Sequence, residues 1–230
     1  MSLLRRLFMV VILRPWLLLA IGLNTRHRER LPQSGPAIII ANHNSHLDTF
    51  VLLSLFPTAL LDRLRPVAAA DYFLRNRWLA WFTLNVVNMI PIERGGGRKR
   101  AGMADADGPR VDPSPDHDIA QPLQGCLDAL RRGEILMVFP EGSRGASETL
   151  TRFKGGVARL TEQMPEVPVI PVFMRGLGRI LPKGEILLVP VVVDVVIGEA
   201  VPWTGHRASF THRMEAAVAT LAAELAPPAK

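Results

Sequence analysis

Apolar residues along the chain fall into short solid runs separated by stretches with helical spacing. Ala37–Ala41 (AIIIA) and Ile135–Phe139 (ILMVF) are unbroken apolar blocks, the pattern of strands buried on both faces. Val67–Ala70, Met89–Ile92, Val167–Val172 and the valine-rich Leu187–Ile197 read as further strands. Between them, Leu47–Leu61, Asn76–Val86, Gln121–Arg132, Lys154–Met164 and Ser209–Leu225 carry helical spacing. Strands alternating with helices predict a single layered α/β domain: a central mixed sheet, partly parallel, flanked by helices. The prolines of Val167-Pro168-Val169-Ile170-Pro171-Val172 point to an edge strand or the wall of an apolar groove.

Two stretches break this rhythm. Leu7–Leu23 is apolar apart from Arg14-Pro15, and a short basic stretch, Met1–Arg6, precedes it. An arginine is costly at a bilayer centre and a proline kinks a helix, so this is a poor full span. No small-residue cleavage signature follows the run, which argues against a cleaved signal peptide. The pattern predicts a helical N-terminal segment, residues 1–30, lying in a membrane interface. Arg5, Arg6, Arg26, Arg28 and Arg30 would sit among the headgroups. A helix packed on the protein's own core is the alternative. The α/β domain then covers residues 31–230. Within it, Gly95–Asp118 is too rich in Gly, Ala, Asp and Pro to form a core and reads as a flexible insertion.

Charge narrows the partners. The 230 residues carry a net +6, with an isoelectric point near 10.4 and a mean hydropathy of +0.19. A basic, rather apolar chain favours phosphate-bearing partners. With one tyrosine and no basic helix interleaved with aromatics, a membrane surface or a phosphorylated substrate fits better than nucleic acid. Cys126 stands alone, which excludes an internal disulfide framework and a cysteine-based zinc site.

The densest polar cluster, Asn42-His43-Asn44-Ser45-His46-Leu47-Asp48, directly follows the AIIIA strand. Its residues therefore sit at a strand's carboxyl end, where α/β sheets place their sites. Five residues separate His43 from Asp48, awkward on one helix but natural across a strand–turn–helix path. An imidazole held by a carboxylate is the base half of a catalytic triad, and a substrate hydroxyl could supply the nucleophile. Ser45-x-x-Asp48 also fits a helix capping box, which leaves a purely structural role for Asp48 open. Asn42 and Asn44 read as ordinary turn residues. His46 is the rival base, but it lies only two residues before Asp48.

A second polar turn, Phe139-Pro140-Glu141-Gly142-Ser143-Arg144-Gly145, closes another buried strand. Gly142 permits close backbone approach, and Ser143 and Arg144 offer donors suited to phosphate; an ordinary polar loop would look similar. If the two strands are sheet neighbours, both turns face one site. Arg94, after Pro91-Ile92-Glu93, is a weaker third signal.

Taken in order, these blocks resemble the glycerolipid acyltransferase family, typified by the 1-acylglycerol-3-phosphate acyltransferases. Asn42, His43, Ser45 and Asp48 match its NHxSxxD motif. Phe139–Gly145 match FPEGTR plus a small residue, with Ser143 in place of threonine. Phe153-Lys154-Gly155-Gly156 is similar to its FKKG segment, and Val167–Val172 to its proline-containing block. Arg94 fills the arginine of the remaining motif, while Asn88 stands where a glycine is usual.

The resemblance implies a glycerol-3-phosphate acyltransferase-like fold and an acyl transfer. His43 would be the base and Asp48 its orienting carboxylate. Arg94 and Arg144 would hold the acceptor phosphate, with Glu141, Gly142 and Ser143 shaping the pocket. The donor would be acyl-CoA or acyl carrier protein. The acceptor would be a lysophospholipid, with 1-acyl-glycerol-3-phosphate the default and other lysolipids or amino-acid-derived lipids as alternatives. No metal or redox cofactor is implied, and cytosolic donors put the enzyme on the cytoplasmic face of a membrane, peripheral or monotopic. A lipid hydrolase could reuse His43 and Asp48, but Ser143 lacks the glycine pattern of a nucleophile elbow. A non-catalytic lipid-binding protein has no need of the pair.

Overall fold

A computed structural model describes residues 3–70, 76–92, 123–142, 150–179 and 191–225. The predicted insertion 95–118, the strand residues 187–190 and the helix residues 121 and 122 lie outside the described residues.

A seven-stranded mixed sheet organises the chain. Its strands are β1 (Ile21–Arg26), β2 (Ala37–Ala41), β3 (Leu64–Ala69), β4 (Ile90–Ile92), β5 (Ile135–Val138), β6 (Val169–Arg175) and β7 (Val191–Ile197), in the order β1-β7-β6-β2-β5-β3-β4. Every neighbouring pair is parallel except β6–β7. The two solid apolar blocks, β2 and β5, are adjacent at the centre, and Ala37–Ala41 are entirely buried.

One helical layer holds α1 (Leu3–Leu7), α2 (Arg14–Ala20), α3 (Leu47–Leu55) and α4 (Arg77–Phe82). The other holds α5 (Gln124–Arg131), α6 (Gly156–Gln163) and α7 (Arg207–Glu224). Alternate residues of the inner strands feed the two layers. Ile39 joins the core under α3, and Ile38 and Ile40 join the core under α5–α7. Cys126 is buried in the second core, where burial pushes its thiol up to about 12, so it is an unreactive packing residue at neutral pH.

Several elements differ from their sequence readings. The helix expected over Leu47–Leu61 stops at Leu55, because Pro57 holds Phe56 in an extended conformation, and a 3-10 turn, Thr58–Arg63, follows. The stretch with two prolines is not at an edge: β6 lies between β7 and β2. Pro171 is accommodated because the β6–β7 ladder begins only at Val172. Beside it Gly198 donates its N–H to the Pro171 carbonyl (2.8 Å), and the chain meets β6 again at Val169↔Val201, so Pro171 serves this neighbour as an acceptor only. Asn88, in the place of a glycine, adopts the left-handed conformation (φ 62°) that asparagine tolerates best among non-glycine residues. Its side chain accepts from Arg65 and donates to the Asp62 carbonyl (3.5 Å).

The N-terminal segment differs most. Residues 21–30, read as part of a helical segment, form instead the strand β1 and a 3-10 turn, Arg28–Arg30. β1 runs parallel to β7 at the sheet's edge. Between α1 and α2 lies a π-helical turn, Phe8–Leu13, in which the Arg14 N–H bonds the Met9 carbonyl just before Pro15 withdraws its donor. One side of this helix, with Met9, Leu13 and Leu17, belongs to the first core. The buried Arg5 donates to the Leu64 carbonyl (3.2 Å), and burial, only partly opposed by Asp62, lowers its guanidinium to about 10. Arg14, the charge that interrupts the apolar run, donates to the Phe56 carbonyl, and Arg28 donates to that of Leu55 (2.7 Å). Both guanidiniums thus cap the negative end of α3. The opposite side of the segment is bare: Leu3 is 80% and Leu19 88% exposed, with Leu7, Val11 and Ile12 exposed between them. Among the described residues no helix is long and apolar enough to cross a membrane.

Candidate active site

The site forms where the carboxyl ends of β2, β5 and β6 meet. Leaving β2, Asn42 is buried and uses its side-chain amide as an extra rung of sheet. Its Nδ2 donates to the Met174 carbonyl, and the Met174 N–H donates to its Oδ1, both at 2.8 Å. It is therefore a structural tie between β2 and β6, not an ordinary turn residue. Its fixed path delivers His43 to the sheet end.

Asp48 lies in the first turn of α3, as the strand–turn–helix reading requires, and is fully buried. One oxygen, Oδ2, gathers three contacts: His43 Nδ1 at 2.9 Å, and the backbone N–H groups of Asn44 (2.7 Å) and Ser45 (2.8 Å) donating to it. Both readings of Asp48 therefore hold at once, since it caps the turn and holds the imidazole. Oδ1 is buried without a partner among the described residues. The buried charge is tolerable because charge-assisted hydrogen bonds replace its hydration. With Nδ1–H donating to Asp48, the neutral ring carries its lone pair on Nε2. The ring stacks on Phe139 (4.2 Å between centroids, 20° between planes), and the side chain remains 19% exposed. His46 is exposed at the N-cap position of α3, while Asp48 is taken by His43.

The second polar turn stands beside the first because β2 and β5 pair in parallel, Ile40 opposite Val138. Glu141 joins the two. Its Oε1 accepts from the His43 N–H (3.2 Å) and its Oε2 from the Thr151 hydroxyl (2.8 Å). Its carboxylate is thus occupied within the protein, fixing the backbone of the imidazole's own residue. Gly142 has φ +71°, and a Cβ there would lie 2.6 Å from Lys154 Nζ. The backbone N–H of Lys154 bonds the Pro140 carbonyl (2.8 Å), so the lysine stem lies across the glycine turn. Arg94, Ser143 and Arg144 lie outside the described residues. Lys154 and Thr151 were absent from the site as read in sequence. The only signal for them was the Phe153-Lys154-Gly155-Gly156 run, whose distance in sequence from Gly142 conceals the contact.

Gly142→Ala tests this packing. The side chain would force strain at positive φ and displace Lys154, so turnover is expected to fall on the order of tenfold or more, with a loss of about 1–3 kcal/mol in stability. Steady-state kinetics alongside a thermal melt checks both.

A buried carboxylate, an imidazole oriented by it and a glycine turn under Lys154 thus meet at the carboxyl ends of a mainly parallel sheet in an α/β protein. The chain belongs to the Acyltransferase family, whose sequence profile matches residues 22–175. It is 26% identical over 186 residues to the chloroplastic 1-acyl-sn-glycerol-3-phosphate acyltransferase LPAT1 of Arabidopsis thaliana, covering 79% of this chain and 45% of that one. It is 25% identical over 192 residues to the 1-acyl-sn-glycerol-3-phosphate acyltransferase of Bacillus subtilis, covering 83% and 77%. The crystal structure of the 1-acyl-sn-glycerophosphate (LPA) acyltransferase PlsC from Thermotoga maritima shares the fold. Its TM-score is 0.67 at 20% identity, over 96% of this chain and 78% of that one. The chain spans about half the length, or less, of several relatives it matches.

Proposed function

We propose that this protein transfers a fatty acyl group from acyl-CoA or acyl carrier protein to the free hydroxyl of a lysophospholipid, with 1-acyl-glycerol-3-phosphate the favoured acceptor. The observation that carries this reading is the 2.9 Å contact between His43 Nδ1 and Asp48 Oδ2, which fixes the tautomer a base needs. His43 Nε2 takes the acceptor's hydroxyl proton as the oxygen attacks the thioester carbonyl. The C–O bond forms, the C–S bond breaks, and the sulfur leaves with the proton returned by the imidazolium. Asp48 stabilises that imidazolium, and no acyl-enzyme is required. The names of the relatives support the glycerol-phosphate acceptor, and the basic charge of the chain supports a phosphate. Arg94 and Arg144 are assigned to that phosphate, with Glu141, Gly142 and Ser143 shaping its pocket. The reaction calls for no metal or redox cofactor. The decisive assay supplies an acyl thioester with and without lysolipid. Acceptor-dependent thiol release and a diacyl product by mass spectrometry are expected. Thiol release indifferent to the acceptor would mean a hydrolase.

The acceptor is a membrane lipid and the donors are cytosolic, so the protein works at the cytoplasmic face as a peripheral or monotopic enzyme. The bare side of the N-terminal helix supplies the contact. Deleting the segment would also remove Met9, Leu13 and Leu17 from the core, so point changes are the sounder test. Val11→Glu with Leu19→Glu is expected to reduce flotation on anionic liposomes and slow reaction with long-chain acceptors. Short-chain, water-soluble acceptors should react as before. Undiminished flotation would move the contact elsewhere.

A further inference from the structure

Two tryptophans stand on the outer face of the first helical layer, on α4, and take no part in the site. Trp78, 79% exposed, and Trp81, 49% exposed, lie three residues apart on α4, so they share one flank, with Leu79 and Leu84 exposed beside them. Exposed indoles so grouped mark a surface meant for a partner. The flank continues into the N-terminal helix, where Phe8 and Phe82 meet edge to face with centroids 5.2 Å apart. The same helix also lines an open groove of about 470 Å³ against the turn at Thr58, with Leu3, Leu7, Val10 and Val11 as its apolar lining and Arg6 as the charged residue among the described ones. Arg77 is exposed at the first position of α4.

The chemistry of this surface selects its partner. Indoles and leucines exposed on one flank, with Arg77 beside them, match the interfacial layer, acyl chains and phosphates of a phospholipid leaflet. A second copy pairing this flank with its own counterpart would set Arg77 against apolar side chains or another Arg77, since Arg77–Val87 holds no carboxylate. Topology fixes the orientation. Helix α4 and the π-helical turn after it (Thr83–Val87) descend to Asn88, which bonds the Asp62 carbonyl at the amino end of β3. Six residues and then five make about 15 Å of helix, so Trp78 stands near the opposite, carboxyl end of the sheet, where His43 lies. We propose that Trp78 and Trp81 form a second bilayer anchor, which together with the N-terminal helix seats the mouth of the His43 site on the phospholipid interface. The proposal rests on the membrane location proposed above.

Fluorescence tests it directly, because the chain has four tryptophans. Trp16→Phe/Trp203→Phe leaves Trp78 and Trp81 as the only reporters. With vesicles of phosphatidylcholine and phosphatidylglycerol, their emission is expected to shift to the blue. Phosphatidylcholine brominated on its acyl chains should quench it by half or more. Trp16→Phe/Trp78→Phe/Trp81→Phe, which leaves only the indole of Trp203 packed on Phe210, should show less quenching. Trp78→Ala/Trp81→Ala, removing two exposed side chains, should weaken vesicle binding on the order of tenfold or more. Reporter emission unmoved by vesicles with which the protein co-floats would overturn the proposal. So would a dimer, measured by sedimentation, that the alanine pair dissociates without any change in vesicle binding. Neither readout uses turnover. If quenching holds but wild-type protein transfers no acyl group to a soluble acceptor, the transfer reading fails and the anchor stands. If transfer holds and quenching is absent, the anchor alone fails.

Discussion

Replacing His43 with alanine is expected to lower acyl-transfer turnover by on the order of 10²–10⁴, the usual worth of a positioned base. The protein should stay folded. The ring contributes a stacking contact with Phe139 and one bond to Asp48, while the turn's path is set by Asn42 and by Glu141 holding the His43 N–H. His46→Ala supplies the control. That side chain is exposed and Asp48 already serves His43, so most activity should remain. Turnover measured at saturating acceptor, with circular dichroism on each variant, decides the matter. A crippled His46→Ala protein beside an active His43→Ala protein would place the base in the wrong histidine.

Asp48 should show two separable effects. Because Oδ2 alone receives all three contacts, an asparagine can place its carbonyl there and still cap the N–H groups of Asn44 and Ser45. What it cannot supply is the negative charge that stabilises the imidazolium. Asp48→Asn is therefore expected to cut turnover by on the order of 10³–10⁴ while losing only about 1–3 kcal/mol of stability, the cost of its amide N–H2 in the partnerless place of Oδ1. Asp48→Ala also strands the two backbone donors, at about 1–3 kcal/mol for each buried group, and should melt several degrees lower. Parallel melts and kinetics on the two variants separate the roles. Near-normal turnover in Asp48→Asn would leave only the cap.

The alternation of apolar blocks was enough to place β2 and β5 as buried strands ending in polar turns, while the pairing that sets those turns side by side came only with the fold. Solid runs such as AIIIA have few other uses in a soluble domain. The His43–Asp48 contact was legible for the same reason: the turn after a strand and the first turn of the next helix are close in any such path. Contacts that depend on distant pairing were not legible. Nothing around Asn42 announces Met174, and nothing in Gly142 announces Lys154 lying across it. The strand β1 was hidden because its residues continue an apolar helix, and only pairing with β7 makes Ile21–Arg26 extended. Nor does anything around Arg14 announce that its guanidinium belongs to the end of another helix.

That last contact ties together parts of the molecule that would otherwise move independently. Arg14 and Arg28 hold the carbonyl end of α3, and Asp48 fixes the other end to the imidazole. Helix α3 is thus a strut with the Arg14 stretch of the N-terminal helix at its foot and the His43 imidazole at its head. In the language of native-state exchange the two belong to one cooperative unit, so an opening that frees the segment also slackens the His43–Asp48 contact. A detergent that prised the N-terminal helix from the protein would silence the site from a distance, without ever reaching the ring.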